Sequence, residues 1–270
     1  MGISMTSIKK QEKSQFLALK VKIIRNTLKG IFTYRQYDSD EYWRKRASPS
    51  DSLFWYNTYY NKCFREKEFE IISRLIEKYD IQKTGCVLDI GCGKGDIAKF
   101  LAELGFKQID AVDFPEMIKL AKEINPHPQI RYIPSSAQCY LVNKKYHLII
   151  SSIVFSMIRD IQKMFKAINN CLTMVSEGGY ILMIDAFHSS NLLARAKISA
   201  DDVVRYMERR SLRLLEKGGM LFWPTRILVS NDKSLTEYQT RILFKVGESM
   251  LAKLGEYTWS DYKILLFKRL

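Results

Sequence analysis

The chain has few of the residues that build disulfide frameworks and zinc sites. Its 270 residues include five cysteines, an odd number without a CxxC pair, and only three histidines. A disulfide-stapled secreted domain and a structural zinc site are therefore disfavoured, and reduced thiols in the cytoplasm are expected. The sequence predicts no bound metal.

Long apolar runs are also absent. No stretch reaches the roughly 18 uncharged apolar residues that a membrane-spanning helix needs. Lys20 and Lys22 interrupt the most apolar part of the N-terminal region, which therefore does not resemble a secretory signal peptide. We expect a cytoplasmic protein, and peripheral attachment to the inner face of the membrane stays open.

Acidic residues are outnumbered by basic ones, 29 to 43, which gives a formal net charge of +14. Such a balance favours an anionic partner, which could be nucleic acid, an anionic membrane surface or a phosphorylated substrate, unless the host proteome is itself basic. Residues 16–32 have the period of a basic amphipathic helix. That helix is expected either on an anionic membrane or against its own domain.

The N-terminal region is rich in aromatic residues up to residue 65. Such residues either close over a ligand or form a satellite core. We therefore divide the chain into an N-terminal basic helix and aromatic cap, residues 1–65, and a main domain, residues 66–270. Tyr37, Tyr42 and Trp43 are the cap residues that we expect near an acceptor pocket.

Apolar and amphipathic segments alternate from residue 66 to residue 187. Strands are predicted at residues 86–90, 108–113, 130–134, 146–152 and 179–187, and helices at residues 68–79, 96–105, 115–124 and 160–172. Strands alternating with helices indicate an α/β, doubly wound, mostly parallel sheet with helices on both faces.

The pattern changes after the fifth strand. Residues 187–219 are predicted to be a basic, mostly helical insertion, and "RILVS", residues 226–230, a sixth strand. A long helix is predicted over residues 234–255, followed by an antiparallel closing strand over residues 261–269. The expected sheet therefore has seven strands.

A glycine-rich loop, "GCGKGD", directly follows the first strand, where open parallel sheets bind their ligands. The three glycines let the backbone approach a ligand closely. The dinucleotide fingerprint is GxGxxG, and Asp96 occupies the place of its third glycine. A carboxylate at that position would repel a pyrophosphate, so the dinucleotide interpretation is rejected.

The segments "VLDIGCGKGDIAKFLAELG", "AVDFPEMIKLA", "KYHLIISSIVFSMIRD" and "LTMVSEGGYILMIDAFH" together resemble class I S-adenosylmethionine-dependent methyltransferases over about residues 70–190. The resemblance implies S-adenosylmethionine as cofactor. It places Asp89 near the cofactor ammonium, the glycines against the methionyl part, Asp113 on the ribose hydroxyls and Phe114 on the adenine. The residues that it implies around the cofactor are Asp89, Gly91, Cys92, Gly93, Gly95, Asp113, Phe114, Ser136, Ala137, Ser151 and Ser152.

The sequence departs from the family at several positions. Ser136 stands where many relatives have an acidic residue that reads the adenine amino group, and no histidine occurs near Ser156. No "NPPY"-type tetrapeptide follows the fourth strand, which argues against enzymes that methylate the amines of bases and glutamine. His188, after the fifth strand, is the candidate general base, and Asp185 is a weaker one.

The outer segments loosely resemble bacterial methyltransferases of cell-surface glycan pathways. That resemblance implies O-methylation of a sugar hydroxyl on a lipid-linked or nucleotide-linked acceptor, with arginines of the insertion, such as Arg195, on its phosphate. The expected acceptor is therefore anionic or phosphorylated, and nucleic acid is less favoured. A small-molecule methyltransferase for quinones or polyketides, an RNA methyltransferase and a non-catalytic binding subunit are the alternatives.

Overall fold

The computed structural model describes Val21 and residues 40–48, 55–188 and 196–270. The predictions for Tyr37, for Arg195 and for the helix over residues 16–32 lie outside these ranges. Within them, no helix is both long enough and apolar enough to cross a membrane.

A seven-stranded sheet forms the centre of the molecule, with the strand order β3-β2-β1-β4-β5-β9-β8. Strand β9 is antiparallel to both of its neighbours, and the pairs among β1 to β5 are parallel. The strands of this sheet are β1 Val87–Ile90, β2 Ile109–Asp113, β3 Ile130–Pro134, β4 Tyr146–Ser152, β5 Val175–Asp185, β8 Leu212–Phe222 and β9 Ser260–Arg269. Two short strands, β6 Phe187–His188 and β7 Ala196–Lys197, form a separate parallel pair.

Helices cover both faces of the sheet, as the alternating pattern predicts. They are α1 Asp40–Lys45, α2 Thr58–Lys78, α3 Asp96–Glu103, α4 Pro115–Ile124, α5 Ile161–Met174, α6 Ala200–Glu208, α7 Trp223–Val229, α8 Glu237–Leu254 and α9 Glu256–Trp259. One apolar core joins the sheet to α2 and α3, and a second joins it to α5 and α6. The predicted doubly wound fold with one antiparallel closing strand is therefore confirmed.

The sixth strand of the large sheet lies earlier in the chain than predicted. Leu212–Phe222 pairs with β9, whereas the predicted strand at residues 226–230 is mostly helix α7, which has a proline in its first turn. The described residues of the insertion predicted as mostly helical contain one helix, Ala200–Glu208, which begins with a capping box at Ser199. Leu212–Phe222 was not predicted as a strand because charged side chains on its solvent side interrupt the apolar pattern.

Helix α2 runs continuously across the expected domain boundary between residues 65 and 66. Asn57 begins it by accepting hydrogen bonds from two backbone amides of the first turn. Trp55, Tyr60 and Phe64 are buried in the main core. The part of the aromatic region nearest the sheet is therefore core, and residues 58–65 belong to the same element as the residues after them.

Candidate active site

A deep cleft lies at the carboxyl edge of the parallel strands. The loop after β1, the end of β2, the segment after β3 and the segment after β4 all contribute to its wall. Its lining residues include Trp43, Arg65, Gly91, Cys92, Gly93, Asp113, Phe114, Ser136, Ala137, Ser152, Arg159 and Lys163. Eight of the eleven predicted cofactor residues and one predicted acceptor residue, Trp43, therefore meet in one cleft.

The glycine loop needs bare backbone for two measurable reasons. Gly91 has φ +72°, and a Cβ there would lie 2.2 Å from a methyl carbon of Val154. Gly95 has φ +83°, and a Cβ there would lie 2.5 Å from the hydroxyl of Tyr132. Both conformations are costly for other residues, and both contacts are closer than atoms can pack. Gly95 shapes the loop from behind and does not line the cleft.

Asp113, at the tip of β2, presents its carboxylate to the cleft. One oxygen accepts a hydrogen bond from the Gly93 amide at 2.8 Å, and the other accepts from the Phe114 amide at 2.7 Å. Burial raises the pKa of Asp113 to about 6, against the effect of these two bonds. Each oxygen keeps a free lone pair, so the group can still accept hydrogen bonds from two vicinal hydroxyls.

Asp89 lies at the end of β1, just beneath the loop. Its side chain is buried, and its Oδ2 atom has no hydrogen-bond partner within the described structure. Burial raises the pKa of Asp89 to about 8, although Arg65 acts in the opposite direction. A buried acceptor without a partner suits a positively charged ligand group, and it would ionise on contact with one.

Arg65 and Glu68 on α2 form a pair that the sequence reasoning missed. Glu68 is fully buried and accepts hydrogen bonds from Arg65 and from the Ser152 hydroxyl, while Arg65 lines the cleft and lies 3.4 Å from Asp96. The pair could have been predicted from its spacing, because an acidic residue follows a basic one by three positions within an apolar helix face. The pair places a fixed guanidinium near the glycine loop, where it can hold a carboxylate.

The other end of the cleft is aromatic. Phe114 lies beneath the Arg44 guanidinium, which is 5.1 Å from the ring centroid and donates to Glu116 at 3.2 Å. Helix α1 is thereby attached to α4 and brings Trp43 to the cleft. Tyr42 packs edge-on against Trp43 with ring centroids 5.1 Å apart, so it supports the wall without lining it.

The two serines that end β4 have different roles. Ser152 lines the cleft, whereas Ser151 is fully buried and does not reach it. Successive side chains of a strand point to opposite faces, so only one of the two can face the ligand. That one of the two serines lies near the reacting atoms stays a prediction, and of the two only Ser152 is in a position to do so.

His188 is not among the residues that line the cleft. Its Nε2 atom lies 2.6 Å from the backbone oxygen of Asp261, and a proton on Nε2 leaves Nδ1 as a free acceptor. Burial lowers the pKa of His188, so the ring is neutral near pH 7. The role of His188 as the general base stays a prediction. Asp185, the weaker candidate, accepts two hydrogen bonds from Ser156, one from its backbone amide and one from its hydroxyl.

Arg205, Arg210 and Arg213, which belong to the described part of the insertion, do not line the cleft. Strand β8 begins opposite Arg269, the last residue of β9, which places Arg210 and Arg213 at the amino edge of the parallel strands. Arg205 is held on the surface by Asp202. Arg210 and Arg213 cannot contact an acceptor in the cleft, because the length of the sheet separates them from it.

The residues that line the cleft, together with Asp89 beneath its glycine loop, fit S-adenosylmethionine. The unpartnered Asp89 oxygen suits the ammonium, Arg65 suits the carboxylate, and the free lone pairs of Asp113 suit the ribose hydroxyls. Phe114 offers a ring for the adenine, with Ser136 and Ala137 beside it in the wall. No group of three or more metal-ligating side chains occurs in the ranges that the structure describes.

Comparison with known proteins decides the family. The sequence model of one family, described as a methyltransferase domain, matches residues 60–221, which is more than half of the chain. The chain belongs to this methyltransferase family. It is an S-adenosylmethionine-dependent methyltransferase, and the matched range contains the glycine loop and both strand-end aspartates.

Related sequences cover different shares of the methyltransferase. Malonyl-[acyl-carrier protein] O-methyltransferase 1 of Ilyobacter polytropus is 27% identical over 154 residues, which are 56% of this chain and 56% of that enzyme. An uncharacterized methyltransferase of Alkaliphilus oremlandii is 24% identical over 76% of this chain and 91% of that protein. The chain thus matches less than two thirds of the malonyl enzyme.

Solved structures have the same fold. The N-methyltransferase NodS of Bradyrhizobium japonicum, in complex with S-adenosylhomocysteine, has a TM-score of 0.54 at 16% identity and covers 90% of this chain and 98% of its own. Magnesium protoporphyrin IX methyltransferase of Synechocystis, with bound S-adenosylmethionine, has a TM-score of 0.52 at 14% identity and covers 84% and 89%. The acceptors that these relatives' names give differ from one another.

When bound, the cofactor supplies a methyl group on a sulfonium, which is a good leaving group in an in-line displacement. The chain's own task is to align the acceptor with the methyl carbon and to exclude water. Arg65, Asp89 and Asp113 would hold the two ends of the cofactor. Ser152 and the segment after β4 would face the reacting centre.

Proposed function

We propose that this methyltransferase transfers its methyl group to a hydroxyl oxygen of a phosphate-bearing acceptor, namely a glycan or lipid-linked sugar. The observation that carries the proposal is a second group of cations in the cleft wall. Arg159 and Lys163 line the cleft where α5 begins. The cofactor has one carboxylate, and Arg65 by the glycine loop suits it.

These two cations exceed what the cofactor needs. The Lys163 ammonium forms no ion pair within the described ranges, and Asp160 is occupied in capping α5 through the amides of Gln162 and Lys163. An anionic group on the acceptor would supply a counter-charge for Lys163. A phosphate fits best, because an arginine and a lysine together offer several charge-assisted hydrogen bonds to its oxygens.

A hydroxyl acceptor also needs a group that takes its proton. His188 is neutral near pH 7 because burial lowers its pKa, and its Nδ1 atom is left free by the contact to Asp261. His188 follows β5 at the same edge of the sheet as the cleft. It would reach the acceptor from the β5 side.

A second candidate is methylation of a carboxylate on a small metabolite. A carboxylate needs no general base, and His188 does not line the cleft. The name of the Ilyobacter relative states O-methyl transfer on a malonyl-carrier protein. The same two cations would then hold the second anionic group of the metabolite.

The test is transfer of labelled methyl groups from S-adenosylmethionine into an extract of the host, fractionated into lipid and glycan, nucleic acid, protein and small molecules. Label in the lipid and glycan fraction is expected, and an Arg159→Gln/Lys163→Gln variant should lose most of it while binding the cofactor normally. Label in small carboxylic acids would favour the second candidate. Label in RNA would overturn both, and failure to bind S-adenosylmethionine would indicate a non-catalytic binding subunit.

The role of His188 is tested separately. His188→Gln keeps a hydrogen-bond donor for the Asp261 carbonyl but lacks a proton acceptor of suitable pKa. Turnover should fall at least about tenfold across pH 6–9, with unchanged cofactor affinity. An unaltered turnover in that range would rule out His188 as the base and favour an acceptor that needs none.

A further inference from the structure

A basic groove lies at the amino edge of the parallel strands, at the opposite end of the sheet from the cleft. It has a volume of 540 Å³ and is lined by Lys145, Asn169, Arg210, Ser211 and Arg269 together with two residues at the end of α5. Three of these side chains are cations, and none is acidic. The methyl-transfer reaction uses none of them.

Each cation is held in place by neutral groups. Lys145 donates to the Thr173 carbonyl at 2.6 Å, and Arg269 donates through Nη1 to the Leu172 and Val175 carbonyls. These carbonyls lie at the end of α5, whose partial negative charge attracts cations. Only one of the three nitrogens of the Arg269 guanidinium takes part, so its other donors remain available.

Arg210 is fixed on an aromatic platform. Its guanidinium lies 3.6 Å from the centroid of the Tyr206 ring and donates to the Tyr206 carbonyl at 3.2 Å. The Tyr206 hydroxyl in turn donates to Asn169 at 2.9 Å, and its ring packs on Phe165. A guanidinium held in this way loses little side-chain entropy when it binds an anion.

The positive charge of the groove is not balanced by acidic side chains. Lys145, Arg210 and Arg269 form no ion pair with a carboxylate in the part of the chain that the structure describes. Glu208, which lies two residues before Arg210 in sequence, forms none with these cations within the described ranges either. The ends of α5 and α6 together contribute roughly one negative charge against three positive ones.

We propose that this groove binds a phosphate group. Two guanidiniums, one ammonium and the exposed Ser211 hydroxyl match the acceptor oxygens of a phosphate monoester or a diphosphate. The open rim leaves space for whatever carries the phosphate, either a soluble molecule or a lipid headgroup. The site is distinct from the cofactor cleft and does not depend on the proposed acceptor.

The experiment is calorimetric titration of the whole protein with pyrophosphate at constant ionic strength. Wild type should bind saturably, and Arg210→Gln/Arg269→Gln should bind at least about tenfold more weakly. Lys245→Gln/Lys253→Gln is the matched control, because it removes two exposed charges from α8 and should bind as wild type does. No saturable binding in wild type, or equal affinity in the groove variant, would overturn the proposal.

Two further arms complete the test. If the double variant unfolds at a lower temperature, Arg210→Glu alone keeps the contacts of Arg269 with α5 and should still abolish pyrophosphate binding. Sedimentation with vesicles containing phosphatidic acid, against vesicles of phosphatidylcholine alone, identifies the source of the phosphate. Variant-sensitive binding to the acidic vesicles supports a lipid headgroup, and binding to pyrophosphate alone supports a soluble ligand. Cofactor affinity should be equal in all variants.

Discussion

Asp110 and Asp113 lie three residues apart in β2, one near each edge of the sheet, and the pKa values of their carboxyl groups are shifted in opposite directions. Burial alone would raise the pKa of Asp110, but hydrogen bonds from Arg131, Tyr146 and Lys144 outweigh it and lower that pKa. Burial raises the pKa of Asp113 to about 6, because only two backbone amides oppose it.

Asp110 is a structural carboxylate, whereas Asp113 is a carboxylate whose hydrogen bonds are completed only when a ligand binds. Asp110 has its counter-charges within the fold, so its ionised form stabilises the protein. At the carboxyl edge Asp89 is buried and Asp113 is half-buried, and both have incomplete partners, so their ionised forms cost stability until a ligand supplies the missing hydrogen bonds or charge. The incomplete hydrogen bonding of these two carboxylates at the carboxyl edge of the sheet therefore indicates the cofactor site independently of any sequence motif.

The largest expected effect is on folding, at the amino edge. Asp110→Ala should lower the free energy of unfolding by about 2–3 kcal/mol, because the buried Tyr146 hydroxyl loses an acceptor and two cations lose their partner. Urea denaturation at pH 7 measures it. Since the folded pKa of Asp110 is lowered, the contribution is present above its unfolded pKa and is lost as the pH falls through the folded pKa. The affinity of the Asp110→Ala variant for the cofactor should stay unchanged. A loss of affinity would contradict the conclusion that Asp110 has a structural role only.

Asp113→Ala should have the opposite effects, with a loss of cofactor affinity and no loss of stability. We expect affinity for S-adenosylmethionine to fall at least about tenfold, or about 1.4 kcal/mol, because the ribose hydroxyls lose their acceptor. The free energy of unfolding without ligand should be equal to or higher than that of wild type. Calorimetry and urea denaturation measure the two quantities, and an unchanged affinity would refute the ribose assignment.

Cofactor binding should release about one proton at pH 7. Asp89, with its pKa raised to about 8, is mostly protonated in the free protein, and the cofactor ammonium would favour its ionised form. Calorimetric titrations in buffers of different ionisation enthalpy count the protons. Asp89→Asn keeps the shape of the side chain and should show no release. Equal release in both proteins would mean that Asp89 does not contact the ammonium.

The smallest effect is a pH dependence of affinity. As the pH falls through about 6, Asp113 becomes protonated and loses acceptor capacity, so wild-type affinity for S-adenosylmethionine should decline. Asp113→Asn cannot ionise, so the difference between the two proteins should shrink below that pH. A constant difference from pH 5 to pH 8 would show that the charge of Asp113 is irrelevant to ribose binding.

Prediction from sequence worked best where a local pattern decides the structure. The five parallel strands and the helices between them follow from apolar periodicity, and the loop from Gly91 to Gly95 follows from positive φ values that other residues rarely adopt. It failed for β8, because that strand at the sheet edge carries charged residues and depends on pairing with β9. The pair Arg65 and Glu68 was missed because its partner Ser152 is 84 residues away from Glu68 in sequence.

The family, the cofactor and the ends of β1 and β2 that bear Asp89 and Asp113 can be predicted from the amino-acid sequence, because each depends on residues close together in the chain. Which side chains share a cleft depends instead on how distant segments pack against one another. The tertiary structure brought Arg65, Arg159 and Lys163 to the edge of the sheet that bears the glycine loop, and it placed Arg210 and Arg213 at the opposite edge. The physical reason is the direction of β8 and β9, since antiparallel pairing determines which edge each end of a strand reaches and no local pattern encodes that direction.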